Sequence, residues 1–286
     1  MAKQRIHLVI IDPQNDFCDL PAADCPVIGG VQQVPALPVA GADADLSRVA
    51  ELIRAGGAGL SDISLTLDAH QRVDIAHPTF WRQGDGSVVG AFTQIRAADV
   101  RAGRFLPRRA DVLSRVLAYL EALEAAGRYV HMVWPVHCEI GTWGHSVHAA
   151  VRAAYNDWEE ANAAVVTKVF KGSNPWTEHF SAIQAEVPDA DDADTQLNAG
   201  FLASLAAADL VLFTGEAGSH CVRATVEHVV ENWPAGELER LVLLTDCMSA
   251  VGGFEAQYAE FLDDMRQRGL RLSTAQAVLP ALLANC

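Results

Sequence analysis

The sequence has no long apolar run. No stretch approaches the roughly 18–20 consecutive apolar residues that a membrane-spanning helix needs, so a membrane role is not expected. The start, MAKQRIHLVIIDPQ, carries basic residues and a short apolar segment, but Asp12 ends that segment too early for a secretory signal. None of the six cysteines forms C-x-x-C, and their spacings suggest neither a zinc knuckle nor a disulfide framework. A reduced cytoplasmic setting is therefore expected. No G-x-G-x-x-G follows an expected strand, which argues against dinucleotide binding. No G-x-S-x-G occurs, which removes a serine nucleophile elbow. Positive charge is also short. Lys and Arg total 21 against 36 Asp and Glu, a net charge of −15. Such a surface repels phosphate backbones, so nucleic acid is not an expected partner.

What is present is a globular composition. Half of the 286 residues are hydrophobic, enough to bury a sizeable core. Arg5–Ile11 (RIHLVII) is apolar on both faces and stops at Asp12-Pro13, which reads as a buried strand. Val130–Trp134, Leu210–Thr214 and Leu241–Thr245 are similar runs, and Val165–Val169 is a weaker one. Helical periodicity lies between them, in Asp111–Ala126 (stopped by Gly127), Asn198–Ala207, Cys221–Glu231 and Phe254–Arg268. Strands alternating with helices predict an α/β fold, a parallel sheet sandwiched between helices on both faces. The chain reads as one domain, 1–286, with insertions near 18–44 and 81–109 that look like long loops.

Ligands in such sheets bind at the carboxyl ends of the strands, so the polar residues there come first. Cys221 opens an expected helix after a Gly-containing turn. The free N–H groups of a helix start favour a thiolate and can hold an oxyanion. Most cysteines in such positions are instead small buried core residues, and position alone leaves the two readings even. Asp12 can serve a thiol as base, or merely begin a turn before Pro13. Lys171 follows another strand in a chain with few lysines, although most lysines are simply solvated. Asp68 and His70 alternate at a strand end and can face one way, with His77 and His137 nearby in pattern. Imidazole with carboxylate suits Zn²⁺, Fe²⁺ or Mn²⁺, although an isolated D-x-H is a weak signal.

Taken together, IDPQNDF, ALPVAGAD, LDAH, VWPVHCEIGTWG, KGSNP with FSAI, and GEAGSHCVRAT resemble the nicotinamidase/pyrazinamidase family of the isochorismatase-like cysteine hydrolases. The pieces run in the family's order from about Asp12 to Ser249. The resemblance implies a catalytic triad of Asp12, Lys171 and Cys221. It implies an oxyanion hole from the backbone N–H groups of Ala217 and Cys221, with a cis peptide at Glu216–Ala217. It also implies a substrate pocket with Phe17, Trp134 and His220. The implied metal ligands are Asp68, His70 and His137. His77 maps less cleanly, because the loop that carries it is longer than usual.

The implied activity is hydrolysis of nicotinamide to nicotinate and ammonia through a cysteine thioester, within NAD salvage. In the family the pyridine nitrogen approaches the metal, most often zinc, and the carboxamide approaches the thiol. Other small amides, namely pyrazinamide, maleamate or a carbamoyl compound, are the alternative substrates. Two further readings stand beside this one: metal-hydroxide hydrolysis with a structural Cys221, and a metal-binding protein that kept the fold without activity. A small-molecule amide is the expected partner, and a homo-oligomer is expected.

Overall fold

The structure, a computed structural model, describes residues 3–234 and 236–286. Its frame is a parallel sheet of β1 (Ile6–Ile11), β2 (Asp62–Asp68), β3 (Thr167–Lys171), β4 (Leu210–Gly215), β5 (Leu241–Leu244) and β6 (Arg271–Ser273). The spatial order is β6-β5-β4-β1-β2-β3, and every neighbouring pair is parallel. Strand β1 shows why the sheet sits at the centre. All six of its residues are buried. Leu8 and Ile10 enter one core, while Val9 and Ile11 enter the core on the opposite face. That is the period-two alternation of a strand covered on both sides.

Helices supply the two covers. On one face lie α1 (Ala42–Gly56), α3 (Ala149–Asn162) and α7 (Ala275–Ala284), through Leu46, Val49, Ile53, Val151, Trp158 and Leu282. On the other lie α4 (Ala199–Ala206), α5 (Cys221–Glu231) and α6 (Glu255–Arg268), through Phe201, Leu205, Val222, Val226, Phe261 and Met265. The remaining long helix, α2 (Leu113–Ala126), stops at Gly127, whose φ of 71° is the left-handed cap anticipated for it. Side chains fix two of the helix starts: Asn198 accepts the Phe201 N–H for α4, and Thr274 accepts the Ala277 N–H for α7. Among the described residues, no helix is long and apolar enough to cross a membrane.

Two expectations need correction. Val130–Trp134 does not join the sheet. His131–Val133 instead pairs antiparallel with Thr93–Ile95, from the segment expected to be a loop. The 81–109 segment itself is structured. Trp81–Gln83 pairs with Phe105–Pro107, and a short helix spans Ala97–Arg101. Trp81, Val89, Ile95 and Val100 build a third core cluster against Val116, Leu120 and Leu123 of α2. Interspersed Gly and Arg residues break the alternation that would have revealed these short strands. The 18–44 segment carries a short 3-10 helix at Ala22–Asp24 and one small hairpin, Val27–Ile28 with Val31–Gln32, and is otherwise irregular up to α1. Helix α1 begins inside its last residues.

The strand order places the functional end. Chain direction across the sheet reverses between β1 and β4, which opens a crevice beyond their carboxyl ends. Gly215 closes β4 there with φ +107°, and a Cβ on it would lie 2.0 Å from the Ile11 carbonyl oxygen. Only glycine lets the two strand ends meet this closely.

Candidate active site and metal centre

Four strand ends converge on one point. Asp12 follows β1, Asp68 ends β2, Lys171 ends β3, and the turn after β4 leads to Cys221 at the start of α5. Lys171 is buried, with its Nζ 2.8 Å from Asp12 Oδ2, 3.1 Å from Asp68 Oδ1 and 3.6 Å from Cys221 Sγ. Neither of those carboxylate oxygens has a hydrogen bond from elsewhere. Burial disfavours the ammonium, but Asp12 and Asp68 outweigh it and hold Lys171 well above the usual lysine range.

Asp12 is fully buried in a left-handed conformation, φ 43°, that few residues other than glycine and Asn or Asp adopt. Thr66 holds it there. The Asp12 N–H donates to Thr66 Oγ1 at 3.0 Å, and the Thr66 hydroxyl donates to Asp12 Oδ1 at 2.6 Å. Burial raises the Asp12 pKa, against the opposing pull of Lys171. A carboxylate desolvated in this way is a stronger base.

The helix start does not by itself acidify Cys221. Burial pushes the thiol well above its ordinary range, and Lys171 offsets that only in part. The resting group is therefore a thiol whose proton needs an acceptor, and Asp12 is the carboxylate beside it. As the first residue of α5, Cys221 has an N–H with no acceptor within the helix. The Glu216–Ala217 peptide bond is cis.

Beside the thiol lies a histidine cluster. One ring nitrogen from each of His70, His77 and His137 falls within 4.8 Å of the others, and all three residues are buried. Asp68 Oδ2 is 3.0 Å from His70 Nε2 and 3.4 Å from His137 Nε2. His70 Nδ1 faces Asp74 Oδ2 at 3.1 Å, a carboxylate–histidine pair that fixes ring orientation. Burial works against ionised Asp68, but His70 and Lys171 outweigh it and hold the carboxyl well below its usual range. Burial, reinforced by His70 and His137, pushes His77 down to about 2, so its imidazole is neutral with a lone pair to offer. Three imidazoles, one carboxylate and an orienting second carboxylate fit a zinc, iron(II) or manganese(II) ion. The structure brings His77, the ligand that sequence assigned least securely, together with His70 and His137.

Cys221, Ala217, Phe17, Trp134, His220, Asp68 and His137 all line one narrow cavity of about 20 Å³. The Phe17 ring packs edge-on to His137 at 5.5 Å, and Trp134 packs edge-on to His220 at 5.1 Å. Burial pushes His220 down to about 4, so it is neutral at pH 7. Trp134, Phe180 and His220 also line a neighbouring cavity of about 170 Å³, together with Arg128 and Gln94. These three rings divide an inner chamber from an outer one. The inner chamber has room for about one water, so a larger occupant needs some of its lining side chains to move.

Several site residues escaped the sequence reading. Thr66 is two residues before Asp68 on the same strand face, a period-two signal that was available. Gln14 and Asp16 stand inside the quoted IDPQNDF. Gln14 Nε2 donates to the Asp68 carbonyl and its Oε1 accepts the Asp68 N–H, both at 2.7 Å. Asp16 accepts the Cys138 N–H at 2.7 Å, next to His137. Glu178 also lines the inner chamber, and burial raises its carboxyl to about 8. Nothing in its sequence context marked it.

No protein-family model matches the chain, and no curated protein sequence matches it. Solved structures do. A nicotinamidase/pyrazinamidase from Acinetobacter baumannii superposes with a TM-score of 0.61 at 19% identity, covering 96% of this chain and 97% of that one. The yeast nicotinamidase bound to the inhibitor nicotinaldehyde gives 0.61 at 16% identity, covering 94% and 99%. The pyrazinamidase of Pyrococcus horikoshii in complex with zinc gives 0.52 at 18% identity, covering 94% and 99%. At these identities the likeness shows a shared α/β fold, carried across nearly the whole chain.

Proposed function

We propose that this protein is a cysteine amidohydrolase that converts nicotinamide to nicotinate and ammonia. One observation carries the reading: Lys171 touches Asp12, Asp68 and Cys221, and Cys221 lines one chamber together with Asp68 and His137. A thiol, a desolvated carboxylate and an ammonium in mutual contact are the parts of nucleophilic amide cleavage. The likeness to solved nicotinamidases over nearly the full length supports the same reading.

In this mechanism Asp12 takes the Cys221 proton as Sγ bonds to the carboxamide carbon. The oxyanion that forms lies against the N–H groups of Cys221 and Ala217. Asp12 then gives its proton to the amide nitrogen, the C–N bond breaks and ammonia leaves a thioester. Water adds to the thioester with Asp12 again as base. The C–S bond breaks, and nicotinate and the free thiol remain. Lys171 stays charged throughout, holding Asp12 in place and favouring the thiolate while it lasts. Asp68, His70, His77 and His137 would hold a divalent metal, whose Lewis acidity would give a pyridine nitrogen a place to bind and so orient the ring.

Turnover across a panel of small amides tests the assignment. Nicotinamide is expected to be hydrolysed best among nicotinamide, pyrazinamide, maleamate and N-carbamoyl compounds. Inert nicotinamide beside good turnover of another member would contradict it.

A further inference from the structure

Glu178 is an unexplained buried carboxyl group in the inner chamber. Its residue surface is 4% exposed, and it lines the same narrow cavity as Cys221, Asp68 and His137. Its Oε1 accepts the His179 N–H at 3.2 Å, but Oε2 is buried with no hydrogen-bond partner among the described residues. Its backbone is fixed, because the Glu186 N–H donates to the Glu178 carbonyl at 2.9 Å. A buried, unpaired carboxyl oxygen is costly, and native folds keep one where something else completes it. Hydrolysis as derived above does not use it: Asp12 serves as acid and base, and the oxyanion has its own donors.

The partner's chemistry follows from the group. An ionised carboxylate can only accept hydrogen bonds, and a neutral carboxyl group still keeps an acceptor lone pair. A hydrogen-bond donor is therefore the one partner that satisfies Glu178 in either form. Resting on the amidase reading, we propose that Glu178 is a specificity-determining residue that accepts a hydrogen bond from an N–H or O–H substituent on the substrate ring. The preferred substrate class becomes a heteroaromatic carboxamide that carries an amino or hydroxyl group, with the unsubstituted ring a poorer member. A ring without the donor leaves Oε2 buried and unpaired, and sites built this way discriminate strongly.

The test compares nicotinamide with its ring-amino and ring-hydroxy derivatives as substrates of the zinc-loaded enzyme. The wild type is expected to favour at least one donor-bearing derivative over nicotinamide by roughly 10- to 100-fold in kcat/KM. In Glu178→Met, which has no oxygen, that ratio should fall to near one. Glu178→Gln, which keeps a carbonyl acceptor, should retain part of it. Zinc content, measured in each preparation, should be unchanged. A wild type indifferent to the substituent would overturn the proposal, as would a Met variant that keeps the preference. So would a loss of preference that tracks loss of zinc, since Glu178 would then be supporting the metal centre. If no carboxamide in the panel is turned over, the amidase reading fails separately. Calorimetric binding of nicotinate and its amino and hydroxy derivatives to the same three proteins still reads Glu178, and equal affinities there would also overturn the proposal.

Discussion

Lys171 Nζ stands 2.8 Å from Asp12 Oδ2, with both side chains buried. The ammonium is the polar partner of that oxygen and of Asp68 Oδ1. Removing one member of a buried ion pair leaves an uncompensated charge, which typically costs about 3–5 kcal/mol. Lys171→Met is predicted to lose stability on that scale, read as a lower urea midpoint, and to lose amidase activity. Cys221→Ala, which leaves the pair intact, should keep near-wild-type stability while losing activity. Equal destabilisation in the two variants would place the energetic weight elsewhere.

Thr66 clamps Asp12 from below through its hydroxyl and through the Asp12 N–H. Thr66→Val keeps the shape but removes both contacts, leaving Lys171 as the side chain that still holds Asp12. A loss of about 1–3 kcal/mol of stability is predicted. A fall in kcat larger than any rise in KM should accompany it, because the base is misplaced while the ring pocket is untouched. A change confined to KM would contradict this role for Thr66.

If the histidine cluster holds a metal, a graded response is predicted. Asp74→Asn keeps the volume of the group facing His70 Nδ1 but weakens its hold on the ring. Metal affinity, followed by competition with a chelator, should fall about 10- to 100-fold. His70→Ala removes a ligand and should lower affinity further. Cobalt(II) gives a second readout, since its visible spectrum should appear in the wild type and weaken in both variants. Equal affinity in the wild type and His70→Ala would show that the cluster is not a metal site.

Stability should fall as the solution is acidified. Burial pushes His131 down to about 4, whereas an unfolded histidine titrates near 6.5. Between those values the unfolded chain binds the extra proton, so stability rises with pH there. The His131 contribution is thus fully present above pH 6.5 and is lost as pH falls toward 4. A shift of this size corresponds to about 3 kcal/mol. His220 and His228, also held near 4 by burial, act in the same direction. Urea midpoints measured from pH 7 to pH 4 should therefore decline, and His131→Gln should flatten the slope. A slope left unchanged in His131→Gln would contradict the burial of that neutral ring.

How much of this was legible in the sequence depends on the range of the interaction. Strand β1 was readable because an uninterrupted apolar run needs no partner to identify it. The start of α5 at Cys221 was readable from its glycine turn and helical period. The chemistry-bearing residues came from short patterns at strand ends, and Asp12, Lys171 and Cys221 do meet in space. What sequence did not show was set at a distance. The pairing of His131–Val133 with Thr93–Ile95 depends on two segments that carry no joint signal. The ordering of 81–109 rests on its packing against α2, where scattered Gly and Arg hid the alternation. The thiol's acidity was misjudged because a helix start is local, whereas the burial that opposes it comes from the whole fold. Glu178 was invisible for the same reason, since only the folded chain places it in the chamber.

In the proposed reaction Cys221 forms a thioester with the acyl group of a small carboxamide. Rapid acid quench of the zinc-loaded enzyme with nicotinamide, followed by peptide mass spectrometry, tests it directly. A nicotinoyl adduct is expected on the Cys221 peptide during turnover, and its absence, with loss of turnover by about a thousandfold or more, in Cys221→Ala. Undiminished nicotinamide hydrolysis by Cys221→Ala would contradict it.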